Sequence, residues 1–487
     1  MFIFRILKLF YLFLRYNCFF FLGMINHPLF FIFKILYNPQ SKSQAKRLRK
    51  FCENAGPLFI KLGQILSTRV DILSKIFINE LQLLKDSTKS YSQNVLKKAF
   101  HKNFEEDVNN IFTHISEKSI GSASIALVFK AHLNNLPVAI KIIKPQAISI
   151  INNDIAILNI IFKILEVISY KAKISKLSKL IEHLKYQISF ELDLRLESAC
   201  AQKMAENFKD NPNIYIPKIY WKYTNQNILI QEWSDGIKID DIKTLQSHNL
   251  DTLQITKKFS EIFFYQTLRD GFFHGDIHSG NIFVLTNGKI AFIDFGIMGK
   301  LDNKLKYYIK EVFLAFLNKD YNLAAQIHFD AGWVPKKYKV EDFSLACRSI
   351  VEKIFDLPQD EIKLGELLQQ LFTISSMFEM EIQEDLLILQ KNLLYFENLC
   401  KILSPKENIW ILCKDILNKN IRSKSNINNY VKYKASNFTE NLKNDVIDFM
   451  SIYNKKKSNH KLIFLNFLLC IIIFFLLSII IFKDITK

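Results

Sequence analysis

The chain has 487 residues, 49% of them apolar, and carries 65 Lys and Arg against 47 Asp and Glu, a formal charge of +18. That length holds two or three domains, or one large domain with extensions, and the apolar content with only 13 Gly and 10 Pro excludes a disordered or collagen-like chain. The seven cysteines are dispersed and form no C-x-x-C pair, which argues for reduced thiols and against a zinc site or a disulfide framework.

The charge is not spread evenly. Residues 1–52 hold nine basic side chains and no acid, residues 414–461 hold 11 basic and 4 acidic ones, and everything from Glu53 to Cys413 holds 43 basic and 42 acidic. A nucleic-acid-binding body would carry its own basic face. Here the body is near neutral and the excess flanks apolar sequence, so no nucleic acid partner is expected and an anionic membrane surface is.

Met1 to Tyr37 is rich in Phe, Leu and Ile but is interrupted by Arg5, Lys8, Arg15 and Lys34. Such a basic, aromatic segment suits the membrane interface, with a true span or helices packed on the body as the alternatives. It lacks the uninterrupted apolar region and the small-residue cleavage site of a signal peptide.

The first block with chemistry is Ser119 to Pro145. It reads as a loop of small residues, a tight turn at Asn134-Asn135 and a strand over Val138–Ile143. The loop positions Lys118, Ser119, Ile120, Gly121, Ser122, Ala123, Ser124, Ile125 and Ala126 would let backbone N–H groups approach phosphates. The strand reads V-A-I-K and would hold Lys141 toward the α- and β-phosphates of ATP. A carboxylate partner for Lys141 is sought on a helix, and Glu191, Asp193 and Glu197 fall within two helical turns of each other. Asn227 to Trp233 reads as a strand leading to a hinge, where backbone groups near Glu232 would meet adenine.

The most specific block is His274-Gly275-Asp276-Ile277-His278-Ser279-Gly280-Asn281, the kinase catalytic-loop pattern H-x-D-x-x-x-x-N. Asp276 would orient or deprotonate the attacking hydroxyl or water, and Asn281 would bind Mg2+. A turn at Asn287-Gly288 and a strand then lead to Asp294-Phe295-Gly296, with Asp294 the second metal ligand. Hard oxygen ligands on two adjacent loops suit magnesium beside a triphosphate. No A-P-E follows, and helix is expected almost at once after Leu301. The activation segment that would hold a peptide is therefore missing or reduced, which favours ATP hydrolysis or a small-molecule acceptor.

After the basic stretch 414–461, Leu462 to Phe482 is 21 residues without a charge. At 1.5 Å per residue it spans roughly 30 Å, one hydrocarbon core, and it is read as a transmembrane helix. The lysines that precede it place the body on the cytoplasmic side.

Together these motifs resemble the UbiB family of atypical, protein-kinase-like proteins. Lys61-Leu62-Gly63-Gln64 looks like the family's K-x-G-Q signature, Gly121 to Ala126 resembles its Ala-rich loop, and Glu191-Leu192-Asp193 matches its E-x-D motif. The resemblance implies an α+β, two-lobed kinase-like domain with an N-terminal helical extension that lies across the active site. It assigns Glu197 as the ion-pair glutamate and puts Lys61 and Gln64 near Glu191 and Asp193. A buried Lys61 needs such carboxylates, and these two are otherwise hard to pair. The implied domains are a membrane-associating segment 1–52, the extension 53–115, the kinase-like domain 116–413, a linker 414–461 and the span 462–482. The implied role is ATP-dependent support or regulation of aerobic ubiquinone (coenzyme Q) synthesis at a bacterial inner membrane. Lipid precursors and the pathway's enzymes would be partners, and oligomeric state stays open, a homodimer included. A non-catalytic nucleotide-binding scaffold and a conventional protein kinase are the competing readings. The sequence departs from the family's pattern at Ser279, where Pro is usual, at Gly121, where Ala is usual, and in having room for one C-terminal span where two are common.

Overall fold

Residues 126–133 alternate in burial over most of their length, residues 138–143 are buried except at Lys141, and Asn134 and Asn135 between the two strands both adopt positive φ, 50° and 64°. Two consecutive left-handed residues make the two-residue hairpin turn whose twist matches paired strands, and Asn tolerates that conformation. In the computed structural model the hairpin is the centre of the first of two lobes. The structure describes residues 2–20, 38, 40–67, 73–84, 90–122, 125–168, 182, 184–185, 188–352, 373–375, 377–380 and 384–407. All fall in one compact unit, Met1–Leu417. The linker 414–461 and the span expected at 462–482 lie outside the described residues, and so do Ala123 and Ser124.

The strands of the first lobe are β1 (Phe112–Thr113), β2 (Gly121–Ser122), β3 (Ala126–Leu133), β4 (Leu136–Ile143) and β6 (Ile228–Glu232), ordered β1-β3-β4-β6 with β2 paired to β3. Their buried face, including Phe112, Phe129, Ile140 and Ile230, packs on Leu96 and Phe100 of a helix over Gln93–Phe104. Fully burying each such side chain contributes about 1.5–3 kcal/mol, which fixes the sheet that carries Lys141.

Three helices form the extension: α2 (Lys42–Ala55), α3 (Pro57–Leu66) and α4 (Lys75–Leu81), preceded by α1 (Phe2–Arg15). With these named, the Gln93–Phe104 helix is α5. The boundary expected at residue 52/53 falls inside α2. A Cβ on Gly63 would collide with Leu84 and lie 3.5 Å from Leu81, so the glycine of K-x-G-Q has a packing reason. Helix α1 is anchored by Arg5, which bonds Asp154 Oδ1 at 2.5 Å and Oδ2 at 2.6 Å and also the Ala55 carbonyl. Asp154 lies on the long helix α6 (Ala147–Ile168) and is fully buried. Leu9 and Leu12 of α1 are buried with Arg5, while Ile3, Phe4, Leu7, Phe10, Tyr11 and Leu14 are exposed.

The second lobe holds the strands β5 (Ile214–Tyr215), β7 (Ile237–Lys238), β8 (Phe272–His274), β9 (Ile282–Val284), β10 (Ile290–Phe292) and β11 (Met298–Lys300). They form the sheets β5-β10-β9-β7 and β11-β8. Helix α7 (Leu194–Asn207) precedes β5, and α8 (Ile242–Ser247) and α9 (Thr252–Phe264) follow β7. After β11 come α10 (Asn303–Leu317), α11 (Tyr321–Asp330), α12 (Val340–Val351) and α13 (Glu384–Leu403). Phe396 of α13 stacks on Phe263 of α9 with centroids 4.3 Å apart. Thr256 and Ser404 hydroxyls meet at 2.9 Å in the same seam. Among the described residues no helix is long and apolar enough to cross a membrane.

Candidate active site

Strand β4 pairs Lys141 with Val128 on one side and Leu229 on the other, so its side chain direction is set by two neighbours. Its Nζ reaches Glu197 Oε1 at 2.8 Å and Asp294 Oδ1 at 3.1 Å. Glu197 stands in the first turn of α7, which Asp193 caps through its bond to the Arg195 N–H. Burial opposes the charge on Lys141, but Asp294 and Glu197 together raise its pKa. Burial is also the main influence on Glu197, whose carboxyl is pushed up to about 7 even with Lys141 beside it. For Asp294 burial works the same way, yet Lys141 outweighs it and holds the carboxyl below the ordinary range.

The catalytic loop is held from several sides. The helix α9 widens into a π-helical turn at Tyr265–Asp270, and Gln266 within it accepts the His274 N–H at 2.9 Å. Such turns frequently occur at functional sites. Gly271 ends this turn at φ 63°, where a Cβ would lie 2.7 Å from the Leu301 carbonyl, so only glycine fits without strain. The buried His274 ring accepts the Asp276 N–H at Nδ1 (3.1 Å) and bonds the Ile293 carbonyl through Nε2 (3.1 Å), linking the catalytic loop to the segment before Asp294. Burial holds its pKa low, so it stays neutral. Asn281 donates to the Asp276 carbonyl at 3.0 Å, and Asp294 adopts φ 61°.

Asp276 itself meets Lys391 Nζ of α13 at 2.8 Å through Oδ1, and His278 Nε2 at 3.5 Å through Oδ2. Burial would raise its carboxyl, but Lys391 and then His278 override that and lower it. The next residue of α13, Asn392, donates to the His274 carbonyl at 2.6 Å and is fully buried. Sequence reasoning missed both, and Gln266 too. One signal was present: Asn392 is a polar residue on the same helical stripe as buried Phe396, Leu399 and Leu403.

Other expectations are modified. Glu191 ends a separate turn of helix, 188–191, so the three carboxylates do not share one helix. Lys61 of α3 forms an ion pair with Glu191. Gln64 lies one turn further along α3, its carbonyl accepting from Ser67 Oγ at 2.6 Å. Asp193 was expected to be hard to pair without Lys61, but it bonds the Arg195 guanidinium at 2.9 and 2.7 Å. Ser119 is tied to Tyr91 by bonds of 2.8 and 3.0 Å, and Lys118 bridges Ser92. These two residues anchor the base of the phosphate loop, and Ile120, whose N–H bonds the Val128 carbonyl, begins its exposed part. Ile125 and Ala126 are buried at its far side. At the hinge, Glu232 gives its N–H to the Lys218 carbonyl and its carboxylate to Tyr215 and the Lys218 N–H. Beside it, the buried hydroxyl of Ser234 has no partner among the described residues.

The chemistry of the site suits Mg2+ and ATP. Two oxygen ligands, on Asn281 and on the partly exposed Asp294, adjoin a buried lysine. In the phosphate loop the buried hydroxyl of Ser122 is also without a partner among the described residues. From Asp294 to the start of α10 at Asn303 the chain makes only the short strand β11.

Comparison with known proteins agrees with this geometry. Residues 83–328 match the ABC1 atypical kinase-like domain and residues 347–408 match the UbiB helical domain. A probable protein kinase UbiB of Pseudomonas aeruginosa (strain UCBPP-PA14) is 35% identical over 387 residues, covering 78% of this chain and 73% of its own. One of the same description from Histophilus somni (strain 129Pt) is 36% identical over 379 residues, 76% and 70% of the two chains. The solved complex of Rv3197 with erythromycin from Mycobacterium tuberculosis shares the fold, with a TM-score of 0.54 at 21% identity over 74% of this chain and 90% of that one.

Proposed function

The chain belongs to the ABC1/UbiB family of atypical kinase-like proteins, and from that premise we propose that it is an ATP-dependent enzyme supporting aerobic ubiquinone synthesis at a bacterial inner membrane. The observation that carries the catalytic part is Lys141, held between Glu197 and Asp294 at 2.8 and 3.1 Å, opposite a catalytic loop closed by His274 and Asn281. Lys141 would hold the α- and β-phosphates, and Asn281 and Asp294 would hold Mg2+. Bound Mg-ATP supplies the transferable phosphoryl group and neutralises its charge. Asp276, ionised and fixed through Oδ1, would orient the attacking water or hydroxyl and take its proton at Oδ2.

The exposed apolar face of α1 and the acid-free first 52 residues support docking to anionic lipid, and the C-terminal run would add a span with the kinase-like lobes on the cytoplasmic side. Lipid precursors or the enzymes that act on them are the proposed partners. The short path from Asp294 to α10 disfavours a conventional protein kinase. A nucleotide-binding scaffold is the second reading. ATP turnover by the purified chain in phosphatidylglycerol vesicles separates them: Asp276→Asn abolishes turnover in an enzyme, and unchanged turnover removes Asp276 from the chemistry.

A further inference from the structure

The catalytic loop between His274 and Asn281 contains no Lys or Arg. Phosphoryl transfer depends on a base held in line with the attacking hydroxyl or water, and a small misplacement is costly. A base in this position needs a donor that fixes its carboxylate. The loop's own candidate is His278, 3.5 Å from Asp276 Oδ2 and nearly half exposed, which is charged only when protonated. The shorter contact comes from another part of the chain. Lys391, in the stretch matching the UbiB helical domain, lies 115 residues away and donates to Asp276 Oδ1 at 2.8 Å.

Neighbouring contacts make this a built arrangement rather than a chance surface pair. Asn392 holds the His274 carbonyl at 2.6 Å, so two consecutive residues of α13 hold both ends of the His274–Asp276 segment. Phe396, one turn on from Asn392, is fully buried against Phe259, Phe263 and Phe264 of α9. The helix that carries Lys391 is thus locked to the helix leading into the catalytic loop. The groups facing the Asp276 carboxylate are Lys391 from α13 and His278 and His274 from its own loop.

The geometry points to Lys391 as a positioning residue of the active centre: it fixes the Asp276 carboxylate through Oδ1 and leaves Oδ2 for the reacting proton. The helical module is then part of the catalytic apparatus, supplying a charge that the catalytic loop does not encode. This inference rests on the reading of Asp276 as the catalytic carboxylate.

The test compares the wild-type full chain with Lys391→Met, Lys391→Arg and Asp276→Asn in phosphatidylglycerol vesicles, measuring Mg-ATP turnover, KM for ATP and thermal midpoint. Lys391→Met is expected to lower kcat roughly 10- to 100-fold, the cost of a misplaced catalytic group. KM and thermal midpoint are expected to stay near wild type, and Lys391→Arg to recover much of the rate. Full kcat in Lys391→Met, with Asp276→Asn inactive, overturns the inference alone. A loss that follows the thermal midpoint and is not recovered by Arg reduces Lys391 to a packing role and also overturns it. Turnover retained by Asp276→Asn overturns the catalytic reading on which it rests.

Discussion

Lys141 and Glu197, 56 residues apart in sequence, are joined at 2.8 Å inside the cleft, and both are largely buried. The pair sets the position of the first lobe's lysine relative to helix α7. Lys141→Met leaves Glu197 facing Asp294 with no cation between them. Removing one partner of a buried pair typically costs about 3–5 kcal/mol, and the partial exposure of Asp294 puts the expected loss near the lower figure. Chemical denaturation measures it. Mg-ATP affinity is expected to fall in the same variant.

The raised Glu197 carboxyl gives a pH signature. Its folded-state pKa of about 7 exceeds the ordinary 4.5, so its contribution to stability is fully present below pH 4.5 and is lost as pH rises through about 7. Glu197→Gln is expected to flatten the stability profile over that window. The check is urea unfolding at several pH values.

His328 works in the opposite direction. Burial lowers its pKa from 6.5 to about 4, although its ring bonds the Ala324 carbonyl at 2.7 Å. The unfolded chain takes up a proton below pH 6.5 while the folded chain does not, so stability is lost as pH falls from 6.5 toward 4, by a few kcal/mol at most. A substitution by Phe is expected to remove this slope, read by the same unfolding series.

Arg5 and Asp154 form another buried pair, between α1 and α6. Arg5→Met alone strands a fully buried carboxylate and is expected to destabilise by about 3–5 kcal/mol, whereas Arg5→Met with Asp154→Leu is expected to recover most of that loss. Equal loss in the single and double variants contradicts this assignment.

Gly121 does not adopt a positive φ, and a Cβ there would lie 3.4 Å from Val128 Cβ. Gly121→Ala is therefore expected to fold normally and to gain about 0.4–1 kcal/mol through a less flexible unfolded chain. Calorimetry of the full chain decides it.

Much of this arrangement was legible in sequence because it rests on local signals. The Asn134-Asn135 turn, the V-A-I-K strand and the H-x-D-x-x-x-x-N loop each encode their own backbone, and the order of the motifs implies the two lobes. The parts that were not legible depend on contacts between distant segments. Lys391 reaches Asp276 across 115 residues, and only the Phe396 seam with α9 brings it there. Asp193 finds its guanidinium two residues away, a contact that spacing alone does not distinguish from pairing with Lys61. The hinge expectation at Glu232 failed to foresee that Lys218 and Tyr215 occupy its N–H and carboxylate.

The central claim is that chemistry at Asp276 supports quinone synthesis. It is tested most directly by profiling ubiquinone and its precursors in a strain lacking this protein, complemented with wild type or with Asp276→Asn at matched expression. The account predicts that wild type restores ubiquinone and that Asp276→Asn leaves early precursors accumulating. Full restoration by Asp276→Asn would contradict it and leave a nucleotide-binding scaffold as the better description.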